Sequence, residues 1–128
     1  MRKGMKVAIA TAGVMGLLGM GSAASANEDD IIKTGACSDG SDWKLKLSPE
    51  NGRIEVEFEV DQNVVGDTWR VRILQNGERI LRTRKVTQAP SGSFKVQTVA
   101  PNTASPDTFK AFAQNLETGE TCSGRATF

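Results

Sequence analysis

The 128 residues carry 16 basic and 15 acidic side chains, two cysteines, and neither histidine nor tyrosine. The lack of histidine excludes a serine triad built on one, and the chain shows no Gly-x-Ser-x-Gly elbow, phosphate-cradling glycine loop or zinc-ligand spacing. A formal charge of +1 names no partner, and the length allows one small domain with a modest core.

Arg2, Lys3 and Lys6 precede an apolar stretch from Val7 to Met20, and Ala24-Ser25-Ala26 offers a small-residue cleavage site. Residues 1–26 therefore read as a secretory signal peptide. The apolar run is too short and glycine-rich for a membrane span, and no second one follows, so the expectation is a secreted protein without a membrane anchor. Cleavage leaves 13 basic against 15 acidic side chains, unevenly spread: residues 27–67 hold 4 basic and 11 acidic, residues 68–88 hold 6 basic and 1 acidic.

Residues 27–40 read as a polar lead-in, with 27–30 disordered, to a domain at 41–128. Trp43 to Ser48 and Arg53 to Val60 alternate apolar and polar residues, the period of a half-buried strand. With residues 49–52 as the turn, Ser48 faces Arg53, which sets Trp43 against Phe58 on the core side. On the outer side the same register sets Lys44 against Glu57 and Lys46 against Glu55. The glutamate row thus reads as a solvated ion-pair face rather than a catalytic carboxylate pair.

After a loop at 61–67, Thr68 to Gln75 alternates again, and Asn76-Gly77 predicts a type I′ hairpin into Glu78 to Val86. Opposing Gln75 with Glu78 sets Ile80 against Ile73 but turns Arg82 and Arg84 toward Val71 and Trp69, as on an edge strand that outruns the core. Ser93 to Ala100, Asp107 to Asn115 and Thr121 to Phe128 complete seven short strands separated by turn residues. No helical period occurs, so the expected fold is an all-β antiparallel sandwich.

Cys37 and Cys122 read as one disulfide, since export favours oxidation and no Cys-x-x-Cys pair is present. Strands that alternate up and down bring both cysteines to one pole, together with the loops at 61–67, 87–92 and 116–120.

The order of seven strands, Trp69 early in the third, the Asn76-Gly77 hairpin, the Ser91-Gly92-Ser93-Phe94 strand entry and Phe109-x-Ala111-x-Ala113-x-Asn115 before Thr118-Gly119-Glu120 resemble a fibronectin type III or immunoglobulin-like domain. The resemblance covers residues 43–128 and extends to the small exported single-domain proteins of actinobacteria. It implies a seven-stranded sandwich whose loop pole is a binding end.

Three surfaces are candidates for function. The loop pole offers Asn63, Val64, Val65, Asp67, Pro90 and Thr118; the two valines either anchor a protein or cell-wall partner or tuck under the sandwich as a cap. Arg70, Arg72, Arg79 and Lys110, with Lys85 and around Phe112, form a basic face able to hold an anionic polymer, or a solvated edge. Nucleic acid is disfavoured by export and by the absence of a recognition motif. Asp39 and Asp42, near Glu28, Asp29 and Asp30, have the composition of an ordinary turn more than of a calcium loop. The expectation is a monomeric, non-catalytic binding module without cofactor or metal, its ligand reached through the loop pole first and the basic face second. An exported peptidase inhibitor is one version of this.

Overall fold

The computed structural model describes residues 28–128, so the signal peptide read at 1–26 lies outside the described residues. Eight strands follow in order: β1 (Ile31–Ala36), β2 (Asp42–Glu50), β3 (Arg53–Asp61), β4 (Thr68–Gln75), β5 (Glu78–Val86), β6 (Ser93–Pro101), β7 (Thr108–Asn115) and β8 (Thr121–Thr127). They form two four-stranded antiparallel sheets, β1-β2-β3-β6 and β5-β4-β7-β8.

The inward residues of both sheets close one core. Leu45, Leu47, Ile54, Val56, Phe58 and Val60 from the first sheet meet Trp69, Val71, Ile73, Phe109 and Ala111 from the second, all without solvent exposure. The period of two therefore places side chains as expected. Three features depart from the sequence reading.

The first is β1, a strand where a polar lead-in was expected. Ile31 lies opposite Leu47 and Gly35 opposite Trp43, so the segment covers what would otherwise be an open edge of β2. An added Cβ on Gly35 would meet the Trp43 indole at 2.7 Å, and one on Gly124 of β8 would meet it at the same distance. Two glycines thus make the slot that receives this ring between the sheets.

The second is the register of β2 with β3. Glu50 pairs with Arg53, and Trp43, Leu45 and Leu47 pair with Val60, Phe58 and Val56. The expected pairing is displaced by two residues because the turn is Asn51-Gly52, both at positive φ (50° and 79°), as a two-residue type I′ turn requires. Pro49 is tolerated in the strand because β1 begins opposite Leu47 and leaves that end of β2 a free edge. A shift of two preserves the face of every side chain, so Phe58 stays buried and Trp43, half-buried, lies 6.4 Å from it between ring centroids.

The third is a bulge. Asn76 and Gly77, at φ 50° and 85°, form the expected turn with Gln75 opposite Glu78, but the register slips between Ile73 and Leu74. Ile73 faces Leu81 rather than Ile80. One extra residue reverses every later side chain of β5.

The disulfide Cys37–Cys122 joins the end of β1 to the start of β8, with Cα atoms 4.4 Å apart. Beside it the buried Glu120 carboxylate accepts from Asp39 N and Ser41 N at 2.9 Å and from Ser41 Oγ at 2.7 Å. Among the described residues no helix is long and apolar enough to cross a membrane.

Candidate functional site

The bulge rebuilds the basic face. Arg82 and Arg84, expected against the core, instead lie directly opposite Arg72 and Arg70, whose neighbours Val71 and Ile73 point inward. Reading across the outer surface of the second sheet, one row runs Arg84, Arg70, Gln114, Thr121. The next runs Arg82, Arg72, Phe112, Ser123, and a third runs Arg79, Leu74, Lys110, Arg125. Arg70, Arg72, Arg79 and Lys110 are exposed as the sequence suggested, and Phe112 is half-buried among them. Lys85 leaves the set: it pairs with Trp69 and lines a shallow hollow with Glu59, Lys95 and Phe94 at the opposite surface of β5.

Strands lie ~4.8 Å apart and alternate residues ~6.7 Å apart, so Arg70, Arg72, Arg82 and Arg84 make a compact four-cation block. Like charges directly opposite each other are destabilising. None of the ion pairs among the described residues involves these arginines. The one partner is aromatic: the Arg72 guanidinium sits 4.5 Å over the Phe112 ring centroid, a contact that holds the cation in place without neutralising it. Arg70, Arg72, Arg79, Arg82, Arg84 and Phe112 border a groove of about 810 Å³ that continues to Gln114, Thr121 and Ser123.

The first sheet's outer surface is different. Glu57 takes Lys46 at 3.9 Å and Lys95 at 3.6 Å, and Lys44 reaches Glu59 at 3.8 Å. Gln97 Nε2 donates to Glu55 at 2.9 Å and to Glu57 at 3.4 Å.

At the loop pole the chain is tied by backbone bonds: Gln62 N and Asn63 N donate to Gly92 O, and Gly66 N donates to Thr87 O. Val64 and Val65 are 50% and 54% exposed, so neither tucks under the sandwich. The backbone of Gly92, at φ 70°, lies so close beneath Val64 N that an added Cβ would collide with it, and this support lifts the valine pair outward. Asn63, Pro90 and Thr118 are exposed, but Asp67 is half-buried and engaged internally. It accepts from Gln62 Nε2 at 2.7 Å and Asn115 Nδ2 at 2.9 Å, and Gln62 Oε1 in turn accepts from Trp69 Nε1 at 3.0 Å. The amide donors of Asn115 and then Gln62 hold the Asp67 carboxyl below its ordinary pKa against a smaller desolvation effect. Asp67 therefore braces the loop.

At the opposite pole Asp107 is 1% exposed. Burial alone would raise its pKa, yet donation from Thr103 N, Thr103 Oγ1, Asn76 Nδ2 and Gln75 Nε2 outweighs this and holds the carboxyl below its ordinary value. Among the described residues no group of three or more His, Cys, Asp or Glu side chains is placed to hold a metal ion. The chain matches no family model and no curated protein.

Sequence reasoning missed Arg82, Arg84 and Arg125 as members of the basic face. A usable signal for the first two was the apolar doublet Ile80-Leu81, which lets either parity bury one residue and so permits a phase change within the strand.

Proposed function

We propose that the protein is a secreted, non-catalytic binding module that holds an anionic ligand on the outer face of its second sheet. The observation that carries this reading is the pair of cross-strand arginine pairings, Arg70 opposite Arg84 and Arg72 opposite Arg82, with no carboxylate in ion-pair reach among the described residues. An oxyanion between such guanidiniums accepts charge-assisted, bidentate hydrogen bonds and relieves their repulsion. The fibronectin type III or immunoglobulin-like reading applies to β2 to β8. It is supported by a chain that changes sheet three times and by the non-sequential pairings β3 with β6 and β4 with β7. A disulfide between the two cysteines is in keeping with an oxidising, extracellular location.

The test is retention on an immobilised polyanion as salt is raised. Retention falls steeply with ionic strength and is lost in Arg70→Glu with Arg72→Glu, while the melting temperature holds. Retention that ignores salt, or that survives the double change, would refute the proposal.

A second reading has its own observation. Val64 and Val65 form an exposed apolar tip on a loop held by three backbone bonds, a preorganised anchor for a protein partner, a peptidase among them. Both valines changed to Asp should then abolish partner capture with the fold intact.

A further inference from the structure

The groove on the second sheet is chemically divided, and the division specifies its ligand more narrowly than charge alone. It spans four strands, from β5 to β8, a width of three strand spacings or ~14 Å. On the β5 and β4 side it presents Arg82, Arg84, Arg70 and Arg72. On the β7 and β8 side the same two rows end in neutral groups that donate and accept, Gln114, Thr121 and Ser123, all exposed. None of these three side chains is engaged in a hydrogen bond with another described residue: Thr121 uses its backbone N with Ser38 Oγ, which leaves its hydroxyl to solvent.

Resting on the anion-binding reading, we infer that the groove takes an acidic glycan, a sugar chain bearing sulfate or phosphate esters. The ester oxyanions lie on the arginine block and the sugar hydroxyls lie along Gln114, Thr121 and Ser123. A polymer of charge alone would use only half of this surface. A single nucleic-acid strand would need open aromatic platforms for its bases; the one aromatic in the groove, Phe112, is already covered by Arg72. Phe112 is therefore a positioning residue, fixing the guanidinium rather than stacking on the ligand.

The experiment measures the affinity of the oxidised protein for five probes: dextran sulfate, dextran phosphate, neutral dextran, inorganic polyphosphate and an oligothymidylate, the charged ones matched in charge density. The expected order places one or both dextran esters about tenfold tighter than polyphosphate, with neutral dextran not bound. The preferred ester identifies the anion. Thr121→Val with Ser123→Ala should weaken the dextran ester about tenfold and leave polyphosphate unchanged, whereas Arg70→Gln with Arg84→Gln should weaken both. Equal binding of ester and polyphosphate, or no effect of the hydroxyl changes, would overturn the glycan assignment and leave the anion-binding reading standing. Tighter binding of the oligothymidylate would replace it with nucleic acid. Failure of every polyanion to bind would remove both.

Discussion

The two outer faces of the sandwich are built from the same element and treat charge in opposite ways. At the centre of the first sheet two successive cross-strand steps set a lysine against a glutamate, Lys44 with Glu59 and Lys46 with Glu57, while at the end of the ladder Asp42 faces Asp61; Lys95 adds a second cation to Glu57. On the second sheet arginine is set against arginine. The first arrangement favours folding, modestly at the exposed Lys44–Glu59 pair and more at the buried Glu57; the second, like charge against like, is locally unfavourable. The rule that opposed charges differ in sign is kept at the centre of one face and broken at the centre of the other, the contrast on which the anion-binding proposal rests.

Three perturbations test that contrast. The largest effect should come from outside both faces and sets the scale. Asp107→Ala removes the acceptor of the buried Gln75 amide and of the part-buried donors of Asn76 and Thr103 and should cost about 3 kcal/mol, a drop in melting temperature of about 15 °C by thermal melting. The acid dependence belongs to the same group. Because the folded-state pKa values of Asp107 and Asp67 are lowered, their contribution is complete above the ordinary carboxylate range and is lost as the pH falls from that range through the lowered folded-state values. The melting temperature should therefore hold from pH 7 to about 5 and decline below about 4, less steeply in Asp107→Ala. Asp67 and Asp107 lie at the two poles, so this decline reports the poles and not the basic face.

Next is Glu57→Lys, which removes the carboxylate shared by Lys46 and Lys95 and puts a third cation between them. At 7% exposure the site screens poorly, and the change should cost about 2 kcal/mol. The smallest effect has the opposite sign. Arg84→Glu places a carboxylate opposite Arg70 and should raise stability by about 0.5 kcal/mol while anion retention falls. If Arg84→Glu destabilises instead, the arginine face is an ordinary solvated edge and the contrast dissolves.

The sandwich was legible because parity survives errors of register. Leu45, Leu47, Ile54, Val56 and Phe58 are buried although their cross-strand partners differ by two residues from those expected, since an even shift keeps each side chain in its layer. The meeting of Cys37 and Cys122 was legible for a related reason, the count of strand directions. The basic face was legible only in part. Its full extent depends on an odd shift at the Ile80-Leu81 doublet, and a doublet of apolar residues fits either phase. β1 was hidden because Ile31 and Ile32 precede a run of small and polar residues with no alternation of their own. The outward stance of Val64 and Val65 depends on the Gly92 backbone beneath them, a tertiary contact without a local signature.

The indole of Trp43, seated between Gly35 and Gly124 beside the Cys37–Cys122 bridge, makes the two long seams of the sandwich unequal. Along the β1 and β8 seam a ring and a covalent tie lock the layers. Along the β5 and β6 seam only the rims of the sheets meet. Thermal breathing should therefore be greater at β5 than at β8, and the amide hydrogens of β5 should exchange with solvent faster than those of β8.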